Sequence, residues 1–264
     1  MTLSVPGGIW LVGCGNMGSA MLARWLAAGV DPASVTVIDP FAKQAPEGVT
    51  LLAAPPAGEP GVLVLAVKPQ QLDALPRIGG AGTLLISILA GVEEASLAER
   101  FAAASVVRAM PNLPVGIGKG VVALHAANAT DAARALAGAL MAPLGRVEWI
   151  GGEALFHAVT ALSGSGPGFV YRFIEALAEA GAALGLPADQ AQRFAIATVE
   201  GAAALAGGAD ASPAELAGRV ASPGGTTRAG LDVLDREDAL KRLIGETLSA
   251  AARRSAELAE AARK

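Results

Sequence analysis

A glycine-rich segment near the start of the chain has the residue types and spacing to bind a phosphate group. Residues 13–18 read Gly-Cys-Gly-Asn-Met-Gly. They follow a short apolar stretch over Ile9–Val12 and overlap the start of an amphipathic pattern that runs from about Asn16 to Ala28. This order predicts a strand, a tight turn and a helix, with the turn at the positive end of the helix dipole.

Each glycine of this segment has a separate physical role in a dinucleotide site. Gly13 allows the tight turn from strand to helix, and Gly18 lets the helix pack close to the strand. Gly15 has no side chain, so the backbone there can approach a pyrophosphate. The residues predicted to contact a dinucleotide in this segment are Gly13, Gly15, Asn16, Met17 and Gly18.

An acidic residue follows at the distance that such a site requires. Asp39 ends a second predicted strand and lies 21 positions after Gly18. A carboxylate there accepts hydrogen bonds from the adenosine ribose and repels a 2′-phosphate, which favours NAD over NADP. Lys43 lies nearby and offsets that negative charge, so both NADH and NADPH remain open as cofactors.

Further apolar runs alternate with helical patterns through the first half of the chain. The runs over Gly61–Val67, Thr83–Ile88 and Ser105–Met110 are typical of parallel strands buried on both faces. This alternation predicts an α/β fold with a Rossmann-like, doubly wound and mostly parallel sheet. Ligands of such sheets bind beyond the carboxyl ends of the strands. The further candidates for cofactor contact are therefore Ala66, Val67, Lys68, Pro69, Ala90, Gly91 and Asn112.

Only helical patterns follow from Gly151 onward. We therefore expect a dinucleotide-binding domain over residues 1–151 and an all-α dimerisation and substrate domain over residues 152–264. Because 53% of the residues are hydrophobic and only 17% are charged, a helical domain this small is expected to bury surface in a homodimer. Within it, Gly224 and Gly225 lead into a helix, where backbone N–H groups can bind an anion.

The composition excludes several classes of protein. The 264 residues carry a formal net charge of −4, which provides no basic surface for nucleic acid. Cys14 is the single cysteine, so no disulfide can form within the chain, which suits a reducing compartment. The amino terminus lacks the pattern of a signal peptide, and no apolar run reaches the roughly 18–20 residues of a membrane span. We therefore expect a cytoplasmic protein that contacts no membrane.

Several segments together resemble one family, the pyrroline-5-carboxylate reductases. The resemblance covers nearly the whole chain and implies NAD(P)H-dependent reduction of 1-pyrroline-5-carboxylate to L-proline, the last step of proline biosynthesis. It also implies a homodimer with interleaved carboxy-terminal helices, often assembled further into a decamer. The segments that carry it are GCGNMG (13–18), AVKPQ (66–70), SILAG (87–91), RAMPN (108–112), ALSGSGPGF (161–169) and VASPGGTTRAGLDVL (220–234).

The resemblance also implies where the substrate binds. Its carboxylate would lie against the glycine-rich loop over residues 222–226, and Thr227 would be the catalytic residue, with its hydroxyl bonded to the ring nitrogen. We assign no general acid. A pyrrolinium ion can enter already protonated, so hydride transfer needs orientation more than acid–base catalysis. The substrate-binding residues implied in this way are Ser222, Pro223, Gly224, Gly225, Thr226 and Thr227.

Other functions compete with this interpretation. A reductase of a related cyclic imine would carry the same features. A β-hydroxyacid dehydrogenase would use a lysine in the second domain, yet no lysine occurs between Gly151 and Arg236. A catalytically silent NAD(P)-binding regulator would not require the loop over residues 222–227. His125 and His157 are interpreted as structural or surface residues, and no metal site is expected.

Overall fold

The computed structural model describes residues 4–262 of the chain. The chain divides into two compact units. The first contains the chain up to Ser165 together with the chain from Ala251 onward, and the second contains Gly166–Ala250.

The first unit is built on one eight-stranded sheet with the order β3-β2-β1-β4-β5-β6-β7-β8. Neighbouring strands pair in parallel except for β6 and β7, which are antiparallel. The predicted doubly wound, mostly parallel sheet is thereby confirmed. The strands are β1 Ile9–Val12, β2 Val35–Ile38, β3 Thr50–Leu52, β4 Val62–Leu65, β5 Leu84–Ser87, β6 Ser105–Pro111, β7 Gly120–His125 and β8 Gly145–Trp149.

Apolar clusters cover both faces of this sheet. One cluster includes Met21 and Trp25, and the other includes Leu97 and Phe101. Burying side chains of this size contributes about 1.5–3 kcal/mol each, and the Trp25 indole also donates a hydrogen bond to the Leu140 carbonyl at 2.8 Å. The sheet is therefore a firm support for the turns at its edges. The helices of this unit are α1 Asn16–Ala27, α2 Glu94–Arg100, α3 Asp131–Met141 and α4 Phe156–Val159.

The antiparallel pair of β6 and β7 was not expected from the sequence pattern. The two strands are joined by a 3₁₀ turn over Leu113–Ile117, and Gly118 follows it with a φ of +69°. A parallel neighbour would need a crossover of a dozen or more residues. The short connection therefore reverses the chain direction.

The segment over residues 163–167 differs from its sequence signals. Gly166 and Pro167 favour a new helix with Ser165 or Gly166 as its cap. The structure instead has a π-helical turn over Thr160–Gly164, and Ser165 has right-handed helical angles with its N–H donating to the Thr160 carbonyl at 2.8 Å. A change of helical pitch thus replaces the predicted capped break.

The second unit is helical, as predicted. A capping box at Ser212 and Glu215 begins the helix over Pro213–Val220. The hydrogen bonds that Ser212 donates, first from its backbone and then from its hydroxyl, lower the pKa of the Glu215 carboxyl. No helix within residues 4–262 is both long and apolar enough to span a membrane. The helices are α5 Gly166–Ala183, α6 Ala188–Gly207, α7 Pro213–Val220, α8 Thr226–Asp235 and α9 Ala239–Ala262, of which α9 continues into the first unit from Ala251.

Candidate functional site

The glycine turn between β1 and α1 is packed on its protein side and open on the other. Gly13 has a φ of +92°, and a β-carbon there would lie 2.8 Å from the Ala66 carbonyl group. A β-carbon on Gly18 would collide with the Gly13 carbonyl oxygen, whereas one on Gly15 would meet no atom within 4 Å. The residues present therefore fit a dinucleotide, because phosphates can approach the backbone at Gly15.

The start of α1 adds a favourable electrostatic field to this turn. Gly15 is the N-cap residue of α1, and no side chain there bonds to the first turn of the helix. The N–H groups of that turn and the positive end of the helix dipole can therefore bind an anionic ligand. Asn16 is exposed and Met17 is half-buried at the same place.

Asp39 is joined to the glycine turn by hydrogen bonds. Its Oδ2 accepts the N–H of Cys14 at 2.7 Å, and its Oδ1 accepts the N–H of Phe41 at 2.9 Å. The carboxylate is thus held at the carboxyl end of β2, beside the turn. Its contact with a ribose remains a prediction.

The loops after β4 and β5 lie at the same edge of the sheet. Ala66 and Val67 are half-buried, and the exposed Lys68 begins a 3₁₀ turn over Pro69–Ala74 in which its N–H donates to the Gln71 side chain at 3.0 Å. Ala90 is exposed on the loop after β5. The parallel pairing of β1, β4 and β5 brings these loops next to the glycine turn.

Asn112 has a structural use that the sequence did not indicate. Its side chain is buried, its amide nitrogen donates to the Ser163 carbonyl at 2.9 Å, and its Oδ1 accepts the Val121 N–H at 2.8 Å. The residue therefore fixes the chain after β6 against two other segments. A contact between this amide and a cofactor remains a prediction.

The predicted substrate loop lies in the second unit and is well formed on its own. Gly224 has a φ of +70°, and the Gly225 N–H donates to the Ser222 carbonyl at 2.9 Å, so the chain turns sharply into α8. Gly225 is the N-cap residue and provides no side chain to the first turn of α8, in which Thr226 and Thr227 are exposed. A helix start of this kind can bind a carboxylate.

Arg228 follows the loop in sequence, but its guanidinium is paired with carboxylates of its own helix. Arg228 bonds to Asp232 at 2.8 Å and to Asp235 at 3.2 Å along its own helix. The donors that this loop itself offers to an anion are therefore its main-chain N–H groups. The structure thus brings the predicted cofactor residues together in the first unit and the predicted substrate residues together in the second.

Comparison with known proteins identifies the family. A family model described as pyrroline-5-carboxylate reductase dimerisation matches residues 153–258, and one described as NADP oxidoreductase, coenzyme F420-dependent, matches residues 8–91. The pyrroline-5-carboxylate reductase of Pseudomonas aeruginosa is 36% identical over 265 residues, covering 96% of this chain and 97% of that protein. The chain belongs to the pyrroline-5-carboxylate reductase family. The Thermus thermophilus enzyme of the same name is 38% identical, covering 94% of this chain and 97% of its own length.

Solved structures of pyrroline-5-carboxylate reductases have the same fold. The one from Coxiella burnetii has a TM-score of 0.87 and 32% identity, covering 96% of this chain and 98% of that chain. The Plasmodium falciparum pyrroline carboxylate reductase, solved with NADP bound, has a TM-score of 0.78 at 24% identity, covering 97% and 98%. This member of the reductase family is accordingly an oxidoreductase with a Rossmann-like domain followed by a helical one.

A cavity of about 500 Å³ lies in the first unit of this reductase-family chain. Sequence reasoning named three of its lining residues, Pro69, Ala90 and Gly91, and missed the polar ones. Spacing in the sequence offers no signal for them, because they come from separate elements. None of the polar lining residues was predicted as a site residue, and they include Gln70, Glu93, Arg108, Glu153, His157, Thr160 and Ser255.

Of the two interpretations that the sequence left open for His125, the structure supports a structural residue and not a surface one. Its Nδ1 contacts Glu94, and the ligand atoms of His125, Glu94 and Glu153 all lie within 4.8 Å of one another. The Glu153 carboxylate already accepts hydrogen bonds from Arg108 at 2.7 Å and from the Glu94 N–H at 3.0 Å. The cluster is thus joined by internal hydrogen bonds, and we assign it no metal.

Cys14 lies inside the glycine motif and is half-buried. Burial, and then the negative charge of Asp39, raise the pKa of the Cys14 thiol above its usual value. The thiol therefore stays protonated at neutral pH, and since the thiolate is the nucleophile, this cysteine is a poor one.

Proposed function

We propose that this family member reduces 1-pyrroline-5-carboxylate to L-proline, the last step of proline biosynthesis, with NADPH or NADH as the hydride donor. Relatives that match nearly the whole chain have that enzyme's name. The observation that supports it most within the structure is the glycine turn, which is open only where a pyrophosphate would approach. When bound, the reduced nicotinamide supplies the hydride to the imine carbon.

The first unit is proposed to bind and orient the hydride donor. The glycine turn and the start of α1 would hold the phosphates, and Asp39 would face the adenosine ribose. The loops after β4 and β5 would hold the nicotinamide half, because a doubly wound sheet binds the two halves of a dinucleotide on opposite sides of β1. The residues proposed to contact the cofactor on this side are Ala66, Val67, Lys68, Pro69, Ala90, Gly91 and Asn112.

The second unit is proposed to bind the substrate. Main-chain N–H groups at Gly224 and Gly225 would hold the ring carboxylate, and the Thr227 hydroxyl would bond to the ring nitrogen. Holding the ring in this way would orient the imine carbon for hydride transfer. Ser222, Pro223 and Thr226 would complete the loop around it.

Asp39 gives an experiment that tests both the activity and the cofactor choice. Wild-type protein should oxidise NADH or NADPH when pyrroline-5-carboxylate is added, which absorbance follows directly. Asp39→Ser should raise the ratio of kcat/KM for NADPH to that for NADH by about tenfold, because a charge that repels the 2′-phosphate is removed. Asp39→Asn is the matched variant, since it removes the charge but keeps an oxygen that can accept one of the two N–H bonds.

Two results would count against these assignments. Wild-type protein without turnover on either cofactor would contradict the proposed reaction. An unchanged cofactor ratio in both Asp39 variants would show that Asp39 lies away from the ribose, with the reaction itself unaffected.

The protein is proposed to act as a homodimer, either alone or assembled further into a decamer. The dimerisation match over residues 153–258 supports this. So do the exposed apolar side chains of α5, since Tyr171 and Phe173 expose 56% and 52% of their surface, which a lone helical unit would leave in water. Light scattering should give a mass of two or ten chains of 26.2 kDa; a monomer would refute the proposal.

The domain boundary between residues 151 and 152 and the cytoplasmic location remain predictions.

A further inference from the structure

A buried ion pair forms part of the wall of the 500 Å³ cavity. Arg108 lies on β6 with only 9% of its side chain exposed, and its Nη1 is 2.7 Å from Oε1 of Glu153, which is 30% exposed. The Arg108 guanidinium also lies over the Phe156 ring, 4.4 Å from the ring centre. A cation buried to this degree needs a partner, and Glu153 is that partner.

The same Glu153 oxygen holds a second group. It accepts the backbone N–H of Glu94, the first residue of α2, at 3.0 Å. The Glu94 side chain extends the connection, because its Oε2 accepts the Ala127 N–H at 2.8 Å and its Oε1 contacts His125. The first turn of α2 is therefore tied to β6, to the end of β7 and to the segment before α4.

The position of that first turn determines the position of the loop before it. Residues 88–93 connect β5 to α2, and they include Ala90 and Gly91 on the cavity wall. Gly91 has a φ of +78°, and a β-carbon there would lie 3.0 Å from Cα of Ala259. The loop is therefore closely confined, and a shift of α2 would move the backbone that faces the cavity.

We propose that Glu153 is a positioning residue of the reductase: its carboxylate joins Arg108 to the first turn of α2 and thereby holds the Ala90–Gly91 loop where the nicotinamide half of the hydride donor binds. This inference rests on the proposed role of that loop. A buried ion pair by itself adds little to stability compared with apolar residues of similar volume. A positioning role explains its place between a cavity wall and a helix start.

The test compares two ligands that differ only in the presence of the nicotinamide. The probes are the reduced dinucleotide that the wild type prefers and the matching ADP-ribose or 2′-phospho-ADP-ribose, which lacks the nicotinamide, titrated by calorimetry. Glu153→Ala should weaken binding of the dinucleotide by about tenfold. Binding of the nicotinamide-free probe should change by less than about twofold, because the glycine turn and Asp39 are not disturbed.

Conservative variants separate positioning from simple loss of structure. Glu153→Gln keeps an oxygen that can accept the Glu94 N–H, so it should restore dinucleotide binding to within about threefold of wild type. Glu148→Ala is the matched control, since Glu148 forms an exposed ion pair with Arg146 at 2.6 Å, and both probes should bind it as they bind wild type. In steady state, Glu153→Ala should raise the KM for the dinucleotide more than it lowers kcat.

Several results would overturn the inference. Equal weakening of both probes, or normal dinucleotide binding in folded Glu153→Ala, would show that Glu153 has no specific effect on the loop. If Glu153→Ala does not fold, Glu153→Asp replaces it: this variant keeps the charge but withdraws the carboxylate, and unchanged dinucleotide binding there would equally refute positioning. These titrations need no substrate, so a wild type that fails to reduce pyrroline-5-carboxylate refutes the proposed reaction and leaves the positioning test intact.

Discussion

Gly15→Ala is expected to weaken NADPH and NADH binding by about 10²-fold while the protein keeps its fold. Gly15 has a φ of −69°, which alanine adopts without strain, and a β-carbon there meets no protein atom within 4 Å. The added methyl group would instead occupy the space through which a pyrophosphate approaches the backbone. Calorimetric or fluorescence titration of the dinucleotide measures the loss, and the thermal midpoint measures the fold.

Two other glycines make this prediction specific. Gly138 lies inside α3, and a β-carbon there also meets nothing within 4 Å. Gly138→Ala should therefore bind cofactor normally and gain up to about 1 kcal/mol of stability from helix propensity. Gly13→Ala should lower stability, because its φ of +92° and the Ala66 carbonyl leave no room for a β-carbon. Unweakened binding in Gly15→Ala would mean that no phosphate lies over this turn.

The parallel part of the sheet could be predicted because its strands are continuous apolar runs followed by turn residues. β1, β4 and β5 are buried at every position, and all their residues except Ser87 are apolar, as a strand covered on both faces requires. The location of the segments that follow these strands could then be predicted from topology alone, since parallel strands end at the same edge of the sheet. This is why the candidate cofactor residues came from separate parts of the sequence and still lie together.

Strand direction could not be predicted in the same way. β7 has the apolar residues of a buried strand, and such residues fit a parallel or an antiparallel neighbour equally well. The difference lies in the connection, where Gly118 with its positive φ ends a short 3₁₀ turn. Only the shortness of this connection determines that the two strands run in opposite directions.

The buried polar cluster was also beyond sequence reasoning. Glu94 and His125 are 31 positions apart, and Arg108 and Glu153 are 45 positions apart. No periodicity relates residues on different strands and helices at such separations. Sequence reasoning assigned Glu94 and Glu153 no role and His125 only a structural or surface one, and only the fold shows that these groups and Arg108 bond to one another beside the cavity.

Thr227→Ala is expected to lower kcat/KM for pyrroline-5-carboxylate by about 10²-fold, the usual cost of removing one hydrogen-bonding group aimed at a reacting centre. Thr227 lies in the exposed first turn of α8, directly after the sharp turn at Gly224 and Gly225. Its hydroxyl is proposed to hold the ring nitrogen, whose charge changes as the imine becomes an amine. Cofactor affinity should stay within about twofold of wild type, because the dinucleotide residues belong to the first unit.

Thr227→Ser and Thr247→Ala decide how this result is interpreted. Serine keeps the hydroxyl and should recover most of the lost kcat/KM, because the hydrogen bond rather than the methyl group is the proposed contribution. Thr247 lies on α9 with its hydroxyl donating to the Leu243 carbonyl at 2.8 Å, so Thr247→Ala should retain wild-type kinetics. If Thr227→Ala instead loses cofactor affinity, or keeps full kcat/KM, the ring nitrogen is held by another group and the substrate assignment of this loop must be redrawn.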